Sequence, residues 1–391
     1  MSAAPSHAVL LTTDFRPMPG GIASFLHGLW DHVADVMPAT VISTVPDSGA
    51  AWPHRYRLTI LEAVADPTLS PPQRLLTMRG QGVPTTLAQL RPIRADALVL
   101  VGVWNVLAHA WCRGLVRAGI PYGLLAHDSE LADPVLYQSV EGWQREDVAD
   151  ARFLFANSRD TAARLRARFG DDLCLRVLHP GVYEPPHLES LNPRIDGLRR
   201  ELGLSGGPVL LTVARLEPSK GVDLVIDSLG DLVRSFPGLR YLVAGAGPER
   251  ASLERRAGEL GVAASVRFLG SVDESTKQAL LALCDVFVMP SRLVSGRPWE
   301  GFGISYLEAA AAGRPAVGGR VGGTGDAIVD GVTGLLVDST GPRPTFNALS
   351  RLLTDAELRT RLGQAGRERV QRQFLWPSVA AGFLREAGLS L

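Results

Sequence analysis

The sequence predicts an α/β protein of two domains, each a parallel sheet wrapped by helices, with a cleft between them. Three observations carry that expectation. Short apolar runs alternate with amphipathic stretches from end to end, the pattern of repeated β-α units. Several of these runs stop at glycine-bearing connections that lead into helical patterns, as at the edge of a parallel sheet. The chain has 391 residues, and roughly 150 residues per domain makes two cores, each large enough to be buried.

In the first half, strands are expected at 8–13, 40–45, 96–103, 121–126, 152–156 and 173–178. Helices are expected there at 22–35, 105–118 and 159–168, the last capped by Ser158. In the second half, strands are expected at 208–214, 239–244, 265–269, 285–289, 315–318 and 334–337. The accompanying helices fall at 219–235, 248–260, 273–283 and 304–312, with Asp273 as a cap. Residues 186–207, within the Pro- and Gly-rich run HPGVYEPPHLESLNPRIDGLRRELGLSGG, read as a linker with one helix at 194–202. The domains are therefore expected at 1–185 and 208–375. A closing helical pattern at 376–391 can return to the first domain.

Composition excludes several function classes. Forty Lys plus Arg balance 40 Asp plus Glu, so no global basic field recruits nucleic acid. Cys112, Cys174 and Cys284 lie far apart without a C-x-x-C, against a zinc ribbon or a disulfide framework. The opening MSAAPSHAVLLTTDF reads straight into a buried strand rather than a signal peptide, and a cytoplasmic protein is expected. No apolar run approaches the roughly 18 residues of a membrane-spanning helix.

The chemistry concentrates in the second half. In RLVSGRPWEGFGISYLEAAAAGRPAVGG, Glu300 and Glu308 flank a Gly-x-Gly loop that enters a helix. Backbone N–H groups of such a loop, together with the helix dipole, favour phosphate oxygens. A carboxylate can accept hydroxyl pairs, so Glu308 suits ribose and Glu300 a sugar. Taken alone, E-x7-E also describes a capped helix with two solvent-facing acids. Upstream, VARLEPSKG places Arg215 and Lys220 in a strand-to-helix connection, where two cations suit a diphosphate. Gly245-x-Gly247-Pro248 follows the next strand, and Gly270 ends another, able to set backbone groups against a base.

The ordered series ARL-x4-KG, G-x-GP, FLG, PS, E-G-F-G-x4-E and GG-x2-D-x3-DG-x-TGLLV resembles glycosyltransferase family 4, retaining enzymes of the GT-B fold. The resemblance spans roughly residues 8–378 and implies two Rossmann-like domains facing each other across a cleft. It further implies that Arg215 and Lys220 stabilise a leaving diphosphate and that Glu308 binds ribose. Glu300, with the amides of Gly301, Phe302, Gly303 and Ile304, would hold sugar and phosphate. Gly20 and Gly21, after Pro19, match the family's glycine pair near phosphate and acceptor. His127 matches its histidine near the reacting sugar. The family needs no metal, and the chain contains no Asp-x-Asp. No cofactor is expected beyond a UDP- or GDP-linked sugar as co-substrate. The chain departs from the family's usual pattern at His179, where Asn is common, and at Asp326, where Glu is common.

Residues 1–185 contain 16 Arg and no Lys against 18 Asp plus Glu, a net of −2, which speaks against a surface built for anionic lipid. Asp14, Asp128, Glu130 and Asp133 fall at or beside the expected cleft loops. A small soluble acceptor, such as an aminocyclitol of an antibiotic pathway, is therefore the expectation, with no membrane contact. The alternatives are a mannosyltransferase acting on a phosphatidylinositol-type glycolipid, a nucleotide-sugar 2-epimerase, and a non-catalytic NDP-sugar-binding module.

Overall fold

The computed structural model describes residues 5–16, 20–43, 55–60, 96–127, 141–204, 206–294 and 300–389. The chain divides into two compact units, one of residues up to Gly181 plus Trp376 onward, the other Val182–Leu375.

Strands of the first unit are β1 (His7–Thr12), β2 (Ala39–Ser43), β3 (Arg57–Ile60), β4 (Ala97–Val101), β5 (Tyr122–Ala126), β6 (Phe153–Ala156) and β7 (Leu175–Val177). Among the described residues they form one sheet in the order β3-β2-β1-β4-β5-β6-β7, with every pairing parallel. The order reverses between β1 and β4, where Val9 faces Thr40 on one side and Val99 on the other. Ala8 to Leu11 are fully buried, which is why the strand reads as a continuous apolar run. β3 was not expected: RLTI is short and carries an arginine, and only its pairing with β2 makes it a strand.

Helices of this unit are α1 (Gly21–Val33), α2 (Val106–Arg117), α3 (Glu141–Asp150) and α4 (Arg159–Phe169). Ser158 caps α4 by accepting from the Thr161 N–H at 3.1 Å, as its position in the sequence implied. α3 is mostly polar and is held by charge rather than an apolar stripe. Its fully buried Asp147 accepts from Trp104 Nε1 at 3.1 Å and His109 Nδ1 at 2.9 Å, and pairs with Arg113 at 3.3 Å.

The second unit begins with α5 (Leu188–Glu201). The segment expected as a linker with a helix from 194 is thus mostly helix, beginning at Leu188. Pro193 reads in sequence as a helix start, yet it lies inside α5, whose Leu191, Ile195 and Leu198 are buried in the second unit's core. Tertiary burial overrides the local signal.

Then follow β8 (Val209–Val213), a short 3-10 turn (Pro218–Lys220), α6 (Val222–Ser235), β9 (Arg240–Ala244) and α7 (Arg250–Glu259). β10 (Val266–Gly270), α8 (Glu274–Leu283), β11 (Val286–Met289) and α9 (Ile304–Ala311) come next. The unit closes with β12 (Ala316–Gly319), α10 (Thr324–Ala327), β13 (Gly334–Val337), α11 (Pro342–Thr354) and α12 (Ala356–Gln373). The described strands form a parallel sheet ordered β10-β9-β8-β11-β12-β13, so its direction of growth reverses between β8 and β11. Asp273 caps α8 through the Thr276 N–H at 2.7 Å.

The last helix, α13 (Trp376–Glu386), packs on α1 in the first unit. Trp376 is 2% exposed and fills the space over Gly28, where a Cβ would lie 2.1 Å from its ring. Phe383 packs against Trp30 and Phe155, with ring centroids 6.0 and 5.5 Å away. Trp376→Ala is expected to lower unfolding free energy by about 3–5 kcal/mol, read from denaturant titration. A loss below about 1 kcal/mol would mean that the helix docks without this anchor.

Candidate active site

In open parallel sheets, ligands meet the carboxyl ends of strands where the order reverses. In the second unit that point lies between β8 and β11, and the chain there is drawn together by backbone contacts. Gly221 has φ +68°, and a Cβ on it would lie 2.2 Å from the Pro290 carbonyl oxygen. The Arg292 N–H donates to the Ser219 carbonyl at 2.9 Å, and the Arg292 guanidinium pairs with Asp223 at 2.9 Å. The turn carrying Lys220 is therefore pinned to the end of β11.

Lys220 Nζ lies 2.8 Å from Glu300 Oε2, and Ser291 Oγ donates to the same oxygen at 3.0 Å. The main chain of Glu300 is held as firmly: its carbonyl accepts the Gly323 N–H at 2.9 Å. Gly322, at φ +51°, approaches so closely that a Cβ would lie 2.3 Å from that carbonyl oxygen. From Glu300 the chain passes through Gly301 and the buried Phe302, which packs against Phe374, to Gly303 at φ +88°. Ile304 then opens α9, with no side chain capping its first amides. A cation beside an uncapped helix N-terminus is a setting for an anion such as a phosphate.

Glu308 lies one turn into α9, and its Oε1 binds Lys277 of α8 at 2.5 Å; Lys277 also pairs with Glu274 at 3.0 Å. Burial works against the charge on Lys277, but Glu308 and Glu274 outweigh it and hold the amine's pKa above its ordinary value. Sequence reasoning passed over Lys277, although the signal was present. The chain contains two lysines in all, Lys220 and Lys277, and each pairs with one glutamate of E-x7-E.

Arg215 stands apart from this pattern. Its side chain is 69% exposed and its ion-pair partner is Glu217, at 2.7 Å, rather than a member of the Lys220 cluster. The G-x-G pair has a packing role: a Cβ on Gly245 would lie 1.8 Å from the Ala214 carbonyl and one on Gly247 2.3 Å from that of Leu216. Gly270, at φ +70°, accepts the Gly245 N–H at 2.7 Å, so it joins the β10 end to the same edge.

In the first unit, Gly20 and Gly21 open α1, Gly20 with φ +148°. Asp14 follows β1 in a turn closed by Thr12 Oγ1, which accepts its N–H at 3.1 Å. His127 is 5% exposed at the end of β5; its Nε2 donates to the Gly102 carbonyl at 2.7 Å, and its ring meets the edge of Phe25. Gly102 follows β4, so His127 ties two strand ends beside the first unit's reversal point. Pro19, Asp128, Glu130 and Asp133 lie outside the described residues.

The family model described as glycosyl transferases group 1 matches residues 195–369. A relative from Mycobacterium tuberculosis, named GDP-mannose-dependent alpha-(1-6)-phosphatidylinositol monomannoside mannosyltransferase, is 35% identical over 96% of each chain. The chain belongs to the glycosyl transferases group 1 family. A second relative of this glycosyltransferase, the D-inositol 3-phosphate glycosyltransferase of Salinispora arenicola, is 32% identical over 76% of this chain and 71% of its own. Among solved structures, sucrose-phosphate synthase from Thermosynechococcus elongatus matches with a TM-score of 0.79 at 21% identity, covering 97% of this chain and 98% of that one. The glycosyltransferase thus has the GT-B fold expected from its motifs. Neither relative is named for an aminocyclitol of an antibiotic pathway, and the name of the one from Mycobacterium tuberculosis matches the glycolipid alternative.

The raised pKa of Lys277 fixes the sign of a stability test. A raised amine pKa stabilises the fold fully below the unfolded-state value and loses that contribution only as pH rises through the folded value. The unfolding free-energy difference between wild type and Lys277→Met is therefore expected to stay flat from about pH 6 to about pH 9 and to shrink only above about pH 10.5. A difference that disappears by about pH 8 would contradict the paired, charged state.

Proposed function

We propose that this glycosyltransferase is a retaining mannosyltransferase that transfers mannose from GDP-mannose to a phosphatidylinositol-type glycolipid, without a metal. The observation that carries the reading is the identity of 35% over 96% of both chains with a relative named for that reaction. The paired glutamates and lysines at the β8/β11 edge supply the chemistry. Lys220, with Arg215 turning from Glu217, takes up the charge that develops as the bond between the sugar C1 and the diphosphate oxygen breaks. The first amides of α9 and the Gly301–Ile304 turn hold phosphate oxygens, Glu300 accepts sugar hydroxyls, and Glu308 accepts the ribose pair. The acceptor hydroxyl then enters on the face the diphosphate leaves, and its proton passes to a phosphate oxygen. Gly270 lies toward the base. Gly20, Gly21, Asp14 and His127 serve the acceptor side.

A lipid acceptor requires contact with a membrane surface, and among the described residues no helix is long and apolar enough to cross one. Contact is then peripheral, although residues 1–185 carry a net charge of −2. A second reading, a soluble inositol phosphate acceptor, is in line with the relative from Salinispora arenicola. Mass spectrometry of reactions pairing GDP- and UDP-sugars with phosphatidylinositol mannosides and with inositol phosphates separates the two. Mannosylated lipid from GDP-mannose is the expected product; product from inositol phosphate alone would reject the glycolipid reading.

Lys220→Ala is expected to lower kcat by about two orders of magnitude or more, since it removes charge stabilisation realised as the diphosphate leaves. Near-normal turnover would remove Lys220 from the mechanism. Glu308→Ala is expected to weaken GDP affinity in calorimetry, while Glu300→Ala leaves it largely intact and impairs sugar-dependent turnover. Equal losses of GDP affinity would reject that division. Activity is expected to survive excess EDTA, because in this reading Lys220 and Arg215 take up the diphosphate charge in place of an ion; abolition by EDTA would overturn this.

A further inference from the structure

Glu300 has two carboxylate oxygens in different surroundings. Oε2 receives both Lys220 Nζ and Ser291 Oγ, at 2.8 and 3.0 Å. Among the described residues none donates to Oε1. Behind Ser291 stands Tyr306, in the first turn of α9; both are 1% exposed. The Tyr306 hydroxyl donates to the Met289 carbonyl and lies 3.2 Å from Ser291 Oγ.

A count of protons gives this chain a direction. Ser291 has one hydroxyl proton, and Glu300 Oε2 takes it, so Ser291 accepts at its contact with Tyr306. The phenol proton is then shared between the Met289 carbonyl and Ser291 Oγ. Burial, reinforced by the Glu300 carboxylate, pushes the Tyr306 pKa up, so the phenol remains a donor at any working pH. Its ring is clamped as well, since a Cβ on Gly303 would lie 2.4 Å from it.

We propose that Ser291 and Tyr306 are positioning residues that commit Glu300 Oε2 to the protein and turn Oε1 toward the hydroxyls of the donor sugar. The inference rests on the assignment of Glu300 to the sugar and deepens it. A carboxylate anchored through one oxygen and through its own main chain has little rotational freedom, so its second oxygen can select hydroxyl geometry. Without Ser291, Lys220 alone holds Oε2, and an ammonium on a flexible stem fixes direction poorly. The nucleotide and its phosphates gain nothing from this chain, which sets its loss apart from loss of the donor site as a whole.

The test uses the full-length enzyme and slow hydrolysis of GDP-mannose, which needs no acceptor, with GDP affinity from calorimetry. Ser291→Ala is expected to lower kcat/KM for GDP-mannose about tenfold while GDP affinity stays within about twofold of wild type. Ser291→Thr, which keeps the hydroxyl, is expected to recover most of the loss. Tyr306→Phe, which removes the donor behind Ser291, is expected to cost about threefold with GDP affinity again unchanged. Wild-type kinetics in Ser291→Ala beside an impaired Glu300→Ala would overturn the positioning role. A parallel fall in GDP affinity and turnover would also overturn it, by assigning Ser291 to the fold of the site. If Glu300→Ala is itself unimpaired, the assignment of Glu300 to the sugar fails, and the inference with it.

Discussion

The interaction on which the rest of the second unit's edge depends is the clamp on Glu300. A carboxylate that is 9% exposed has lost most of its water, and it persists as a charge only if donors replace that water. Lys220 arrives from the β8 connection, Ser291 from the end of β11, and the Gly323 N–H from the turn after β12. Two other connections thus converge on the one that carries both Ser291 and Glu300. Gly221 beside Lys220 and Gly322 beside Gly323 make the approach possible, since a Cβ on either would meet a backbone carbonyl, that of Pro290 or of Glu300.

The glycines describe the same constraint from the side of packing. At Gly221, Gly245, Gly247 and Gly322, the space a Cβ would need is occupied by a backbone carbonyl of a neighbouring connection. Those motif glycines are therefore less a flexible cradle than a set of contact points where loops stack on loops. Residues far apart in sequence are thus brought into backbone contact. The opening of α9 is thus part of a surface already assembled, with Lys220 held beside it by Glu300.

Charge chemistry follows a related economy. The chain uses arginine almost everywhere it needs a cation and lysine at two positions, each against one glutamate of E-x7-E. An ammonium is a compact point charge that can share itself among several oxygens, whereas a guanidinium demands a planar fork of partners. Lys277, between Glu308 and Glu274, shows the first behaviour within the protein itself.

The sequence by itself determined the α/β class, nearly every strand of both sheets, the caps at Ser158 and Asp273, and the motif residues at the second unit's edge. These are readable because burial on both faces of a parallel sheet forces continuous apolar runs, and because caps act within three residues of their own position. What only the tertiary structure decided is set by partners distant along the chain. β3 exists because β2 pairs with it, and α5 runs through Pro193 because its apolar face is buried. Lys277 meets Glu308 across 31 residues, and Lys220 meets Glu300 across 80. Arg215, which spacing alone grouped with Lys220, turns instead to the near neighbour Glu217, since an exposed guanidinium pairs with whichever carboxylate lies within reach. Spacing along a chain names the charges available, and the folded backbone decides which oxygen each one meets.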